Sequence, residues 1–576
     1  MSARAMSTSC PSPRRDRCPA SGRASPNSRS GAAVSDGSCS PTTGRQSQTE
    51  AVRVPGSYHV SKGVRDMHME TRPRRTGWVE YINKTDYVPR PEEVLFTTAP
   101  RDIYVEEGYD GDIPCITDDG RLDWFAHHPL AYPEEYQPSV KSRSYDIAFL
   151  ELNVPGPTYL ELPLQAEIIA ALESGQYKVL AITAYTWMIP WALKLAERAR
   201  RDYGIREVWL GGYGIMTPEP KIRQLFDRLF WGYAESTMRE ALGLSPMKPS
   251  QIEHPMLINE STYLAHKIKI GHLFWERGCT QRCTFCADPV FQPGGEGTFS
   301  VENVRRTLER YKEEGVVTVH LVNQDVRPFK DVGRQIIELL YEYGLPFTMM
   351  TSFLALTAKG HDGMKWLADK GLTMAQLGVE SLDDTNLSKS LKTTNYDHIS
   401  KTVRQMDDLR IRMSATYIVC FEDDTPESIH RSKRLLGDLG PIYTYFSILQ
   451  PMPSTPQYYD MHKRGLINDW DFRKWTGGYL VWDHPTIKPD EAREIVRDMD
   501  LAINTPQYNQ RLKREWQRIS RMRERMHERG RAGYTLDMRA RARVYYHPQS
   551  DAQLPAAEFS ARSGIQTATT RTPTTA

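Results

Sequence analysis

The pattern of apolar and polar positions divides the chain into stretches of different character. Residues 1–56 are rich in Ser, Arg, Pro, Gly and Thr and nearly devoid of large apolar side chains. They cannot bury enough surface to offset the entropy of ordering, and their prolines leave no amphipathic helix of the transit-peptide kind. A disordered tail is expected there, or translated sequence ahead of a later start such as Met67 or Met69. Residues 57–144 read as an N-terminal extension of unassigned role, aromatic and acidic between Gly77 and Gln137. From Tyr145 the pattern sharpens. "YDIAFLEL" reads as a buried strand, "LPLQAEIIAALESG" as a helix closed by Gly175, and "YKVLAIT" as a second strand. "IPWALKLAERARRDYG" (helix), "EVWLGG" (strand) and "PKIRQLFDRLF" (helix) continue the alternation. Such alternation implies βαβ units on a parallel sheet, so residues 145–244 are expected to form a Rossmann-like domain.

The alternation resumes at "KIGHLFWERGC". Strands are expected at "HLFWER", "TVHLVNQ", "FTMMTSF", "MAQLGVE", "RMSATYIVC" and "YTYFSILQP", with helical stretches between them. Six βα units over residues 265–457 predict a partial (β/α)6 barrel, in which chemistry gathers on loops at the C-terminal ends of strands. Residues 458–547 read as helical and basic. In "RLKREWQRISRMRERMHERG" the residues Leu512, Trp516, Ile519, Met522 and Met526 fall three and four apart, one packed stripe with arginines on the wet face. Residues 548–576 repeat the composition of the first tail. The fold class is α/β: a Rossmann-like domain, a partial barrel and a helical C-terminal segment.

Composition narrows the picture further. The 576 residues hold 74 Lys and Arg against 72 Asp and Glu, a net charge of +2, with no global drive toward nucleic acid or an anionic membrane. The longest apolar run, "VLAITAYTWMIPWAL", is too short and too polar to span a bilayer and contains Pro190. Eight cysteines are few for this length. Their scatter points to a reducing, cytoplasmic setting rather than a disulfide framework.

Three of those cysteines do cluster. "GCTQRCTFCAD" places Cys279, Cys283 and Cys286 on one loop after the first barrel strand, with spacing CxxxCxxC. A closed zinc site normally takes four ligands from two separated pairs, and there is no second pair here. His272 or His320 could complete such a site only through the fold. Soft thiolates favour iron–sulfur clusters, and a cube with three cysteine ligands leaves one iron open to chelate a substrate.

CxxxCxxC with an aromatic residue, Phe285, before the last cysteine resembles the radical S-adenosylmethionine superfamily, which also uses a partial barrel. The resemblance implies a 4Fe-4S cluster on the three cysteines, S-adenosylmethionine on the open iron, and an external electron donor of the flavodoxin or ferredoxin type. Further stretches are similar to the family's own. "GVES" (Glu380, Ser381) resembles the stretch that contacts the cosubstrate, Lys392 falls where the family often carries Lys-Gly, and Pro451 to Thr455 resembles the "PxPGTP" turn with Ser454 in place of Gly. Phe285, Gln324, Ser352, Glu380 and Ser381 are the implied S-adenosylmethionine contacts. "VNQD" (Asn323 to Asp325) replaces the usual Gly-Gly-Glu, and "CFEDDT" departs from "GxPGET".

A small α/β domain ahead of a radical barrel is similar to the cobalamin-binding domain of cobalamin-dependent (class B) radical enzymes. It has no GxGxxG and no Walker loop. The resemblance implies cobalamin contacts at Tyr185, Thr186, Trp187, Gly211, Gly212, Tyr213, Gly214, Gly232 and Glu235. The sequence has no DxHxxG, so Tyr185 to Met188 become candidates for the lower face of cobalt, with ordinary packing as the other reading of Tyr185 and Trp187. The implied reaction moves a methyl group from S-adenosylmethionine, via methylcobalamin, to an unactivated carbon or phosphorus of a small-molecule substrate. The same machinery without methyl transfer, closing or rearranging a ring, is the nearest alternative, and a corrinoid-binding sensor a remote one. A methylthiotransferase would need a cysteine-rich N-terminal domain, and between residues 60 and 270 only Cys115 occurs. In "WTGGYLVWDHP", Tyr479, Asp483 and His484 are candidates to touch substrate.

Overall fold

The computed structural model describes residues 81–504 except 101, 104–114, 117–121, 124–138, 142–143, 264–265, 293–296 and 393. Both tails, the basic stripe from Leu512 to Met526 and part of the extension lie outside the described residues. In chain order the strands are β1 (Tyr81–Asn83), β2 (Val94–Thr97), β3 (Cys115–Ile116), β4 (Leu122–Asp123), β5 (Ser139–Lys141), β6 (Thr158–Leu160), β7 (Val179–Thr183) and β8 (Glu207–Gly211). They continue as β9 (Arg228–Phe230), β10 (Ile258–Tyr263), β11 (His266–Leu273), β12 (Thr318–Leu321), β13 (Phe347–Thr351), β14 (Leu372–Glu380), β15 (Arg412–Val419) and β16 (Tyr443–Ile448).

One sheet has the order β1-β9-β8-β7-β2-β6, parallel apart from β1. Its inner strands are continuous apolar runs, Val94–Thr97 and Val179–Thr183 among them, as expected where helices cover both faces. The helix Ile189–Tyr203 covers one face; Pro190 starts it, and Gly204, at φ 65°, ends it in the left-handed conformation. Strand β2 lies in the stretch assigned above to an extension, so the first sheet draws on residues well before Tyr145. "PKIRQLFDRLF" is also divided: the helix stops at Leu225 and Arg228–Phe230 is a strand.

The second sheet runs β16-β15-β14-β13-β12-β11-β10-β5-β4-β3. Its first six strands are mutually parallel and curl into a half-barrel. Strand β14 shows why: its residues alternate between fully buried and half-buried, one set under the outer helices and the other facing the lumen. The antiparallel hairpin of β10 and β11 begins before the expected first strand.

"YDIAFLEL" is not a strand. Tyr145–Asn153 is a helix packed between two cores. Ile147 and Leu150 join the core of the first sheet, whereas Ala148 and Phe149 join that of the half-barrel. A helix buried on two sides has no polar face to impose its period, so its apolar run imitates a parallel strand.

Candidate active site

The cysteine loop leaves the C-terminal end of β11 and is pinned from several sides. The Gly278 N–H donates to Gln324 Oε1 at 3.1 Å, and the Gln281 amide donates to Asp325 at 3.3 Å and to Ser352 Oγ at 3.5 Å. Cys279, Cys283 and Cys286 are free thiols. Among the described residues no three His, Cys, Asp or Glu side chains converge as a single zinc ion requires. His272 and His320 have other partners inside the barrel. Burial pushes all three thiols up, Cys279 to about 12, so thiolates on this loop need a cationic centre beside them. A three-thiolate iron–sulfur cube suits this donor set.

Around the loop stand the residues expected at S-adenosylmethionine. Glu380 has φ 62°, and its carboxylate accepts from Lys392 Nζ at 3.3 Å and from Thr416 Oγ1 at 3.1 Å. Burial works against the charge on Lys392, but Glu380 and the Cys283 thiol outweigh it and hold the ammonium's pKa up. Gly378 leaves room for this pair, because a Cβ there would crowd Glu380 Oε1 and Lys392 Nζ. Ser381 is turned to structure: its hydroxyl accepts from the Asp383 N–H at the start of the next helix. The Ser352 N–H donates to Asp325 Oδ1 at 2.8 Å, and its hydroxyl caps the helix Phe353–Thr357 by accepting from the Ala355 N–H. Phe285 and Ile418 help wall a cavity of about 280 Å³.

A larger cavity, about 480 Å³, runs from the C-terminal ends of the first sheet's strands into the half-barrel. Ligands of doubly wound sheets bind at those strand ends. Tyr185, Gly211, Gly212, Tyr213, Gly232 and Glu235 line it. Thr186 and Trp187 line the smaller cavity instead. Tyr185 and Tyr213 are stacked, ring centroids 5.8 Å apart at 8°, and they border both cavities. Gly214 does not line either: its Cβ would fall 2.7 Å from Ile189 and 2.8 Å from the Ala184 carbonyl. Gly212 is likewise crowded by Ala184, so both glycines serve the close approach of the chain's own loops. Flat aromatic walls and a position at the strand ends suit a large planar ring such as a corrin.

Several residues of this chamber gave no signal in the sequence. The Arg277 guanidinium pairs with Glu235 at 2.7 Å, both nearly fully buried, and lies over the rings of Tyr233 at 4.1 Å and Phe149 at 4.2 Å. Gln324, expected at the cosubstrate, donates instead to the Tyr233 hydroxyl at 2.7 Å and to Gln292 at 2.9 Å while accepting from Gly278. Arg277 and Gln324 thus fasten the turn after β9 to the cysteine loop. Asp146 accepts from Thr183 Oγ1 at 3.3 Å, and burial raises its carboxyl pKa. Only adjacency to Cys279 could have drawn notice to Arg277.

In the C-terminal segment the expected residues do not reach either cavity. The Tyr479 ring lies under Arg493, Asp483 receives Asn468, and His484 donates to the Phe421 carbonyl at 2.7 Å while its Nδ1 accepts the N–H of Ile487 at 3.1 Å. That pairing folds a turn. The neighbouring Trp475, Thr476 and Gly477 line the smaller cavity in their place. No helix among the described residues is long and apolar enough to cross a membrane.

Three free thiols thus stand on one loop at the mouth of a parallel half-barrel. Residues 276–436 match the family model of the radical SAM superfamily; this part of the chain is a radical SAM domain, whose cofactors are a 4Fe-4S cluster and S-adenosylmethionine. By sequence, the chain is 22% identical over 330 residues to a bacteriochlorophyllide d C-12(1)-methyltransferase from Chlorobaculum tepidum, covering 51% of this chain and 68% of that protein. It is 24% identical over 195 residues to a tRNA-2-methylthio-N(6)-dimethylallyladenosine synthase from Methylobacillus flagellatus, covering 32% of this chain and 44% of that enzyme, less than half of its length. Among solved structures, the radical S-adenosylmethionine methyltransferase TsrM from Kitasatospora setae is 14% identical and covers 64% of this chain and 76% of its own, with a TM-score of 0.45.

Proposed function

We propose that the chain is a cobalamin-dependent radical SAM methyltransferase acting on a small molecule. One observation carries the reading: a single cavity is walled both by the strand ends of the first sheet and by the half-barrel lumen, with the cysteine loop beside it. When bound, the reduced cluster and S-adenosylmethionine supply a carbon-centred radical, and the corrin supplies a transferable methyl group. The protein's part is position and exclusion of water.

In this reading Cys279, Cys283 and Cys286 hold the cluster. Glu380, paired with Lys392, receives polar groups of S-adenosylmethionine, and Phe285 and Ile418 offer it an apolar wall. Tyr185, Gly211, Tyr213 and Gly232 would line the site that holds the corrin. The Arg277–Glu235 pair and Gln324 hold the two halves in register, so that the reacting atoms meet at a fixed separation. Supporting the reading, the chain is similar over half its length to a protein named as a methyltransferase.

The test is anaerobic reconstitution of the full chain with iron, sulfide and hydroxocobalamin, followed by metal analysis. Stable retention of one cobalt and a cluster's complement of iron is expected. Iron without cobalt would remove the cobalamin part of the proposal and leave a radical SAM enzyme of another kind.

A further inference from the structure

The register of the half-barrel places its inner face in layers. His272 pairs with His320, and His320 with Thr348; one step along, Met350 pairs with Gln376. His272, Phe274, His320, Val322, Met350 and Gln376 form the half-barrel side of the large cavity. None of the six is an acid or a permanent base. The charged groups of the cavity lie elsewhere on its wall: Arg277 and Glu235 neutralise each other at 2.7 Å, and Asp146 is held by Thr183 at the first sheet.

The two imidazoles are committed to the neutral form by their surroundings. The Tyr145 hydroxyl meets His272 Nδ1, and the Asn259 amide nitrogen lies 2.9 Å from Nε2, which must therefore accept. His320 Nδ1 lies 2.6 Å from Thr348 Oγ1. Burial lowers both rings' pKa values, that of His320 to about 4. Two polar groups on this wall have no partner among the described residues: His320 Nε2 and the Gln376 side-chain amide. Both side chains are half-buried on the cavity wall, so these two groups stand open to a ligand. An ionised ligand group placed between them would shed its hydration without gaining a counter-charge.

Resting on the reading of this cavity as the reaction chamber, we propose that its half-barrel side receives an uncharged, hydrogen-bonding group of the substrate. A carboxamide, or a neutral ring bearing a carbonyl or N–H, would lie over Met350 with Gln376 and His320 as its partners. Carboxylates, phosphates and ammonium groups of the substrate would have to lie outside this end.

Benzamide, benzoate and benzamidinium share one shape and differ in charge. Binding of each to the anaerobically purified full chain, read by saturation-transfer NMR without turnover, tests the proposal. Benzamide should bind at least about tenfold more tightly than either ion, and Gln376→Leu and His320→Leu should each weaken it by about the same factor. Equal or tighter binding of benzoate or benzamidinium, no binding by any probe, or benzamide binding unchanged in both variants would overturn it. The ranking in the unaltered protein decides the matter even if a variant does not fold. Because no turnover is read, failure of methyl transfer would sink the functional reading and leave this result standing.

Discussion

Glu380 occupies a backbone conformation that non-glycine residues rarely adopt, at φ 62°. Such a residue costs on the order of 1–3 kcal/mol and is retained where surrounding contacts over-determine it. Here the contacts are Lys392, Thr416 and the bare Cα of Gly378. Gly378→Ala would drive a methyl group into the Glu380 carboxylate and should raise the dissociation constant for S-adenosylmethionine by about tenfold or more, measurable by equilibrium dialysis on the reconstituted protein. Glu380→Ala leaves a buried, unpaired ammonium and should destabilise the fold by about 3 kcal/mol in urea titrations; a loss below about 0.5 kcal/mol would show that the pair is not load-sharing at all. At this scale the sequence was informative wherever chemistry is local in the chain. Three cysteines on one loop, and "GVES" at a strand end, announce themselves. Arg277 does not, because its partners Glu235, Tyr233 and Phe149 are remote in sequence, and a lone arginine carries no pattern. Tyr479, Asp483 and His484 misled for the opposite reason: chemically capable side chains near a site are often spent on turns, as His484 is.

The helix Tyr145–Asn153 links the two sheets and explains both an error and a dependency. Its apolar run lacks a polar face because it serves two cores at once. Phe149 packs edge-on to Phe274 and His254 and beneath the Arg277 guanidinium. Phe149→Ala should therefore cost about 3–5 kcal/mol and loosen the cysteine loop as well as the core. Iron retention after desalting should fall with stability; full retention despite the loss of stability would show that the helix packs independently of the site. Strands β7 and β8 and the six parallel strands of the half-barrel were legible, because continuous or alternating burial writes itself into the sequence, whereas the three-residue β6 was not. Strand β2 was not, being four residues set in an otherwise irregular stretch. Nor was β9, whose three residues followed a helical pattern without a break.

Over the whole molecule, a buried neutral imidazole packed against the half-barrel core fixes a pH dependence. His254 donates from Nδ1 to the Pro255 carbonyl at 2.7 Å and accepts the Phe274 N–H on Nε2 at 3.0 Å. Burial lowers its pKa to about 3 from the usual 6.5. The unfolded chain takes up this proton near pH 6.5, whereas the folded protein refuses it until about pH 3. Stability contributed by the neutral ring is therefore fully present above about pH 6.5 and is lost as pH falls, at up to about 1.4 kcal/mol per pH unit. His254→Gln should show an acid limb shallower by about that amount between roughly pH 6 and pH 4, read from urea midpoints; parallel limbs would contradict the assignment.

At that same scale the central claim is that one chamber brings a corrin and a radical-generating cluster to the same substrate. It is tested most directly by incubating the reconstituted full chain anaerobically with hydroxocobalamin, reductant and methyl-labelled S-adenosylmethionine, and following the label and 5′-deoxyadenosine together. Label is expected on the corrin and 5′-deoxyadenosine in solution, with the second product abolished by Cys283→Ala. Protein that holds both cofactors and S-adenosylmethionine, yet leaves the methyl group where it began and releases no 5′-deoxyadenosine, would contradict it.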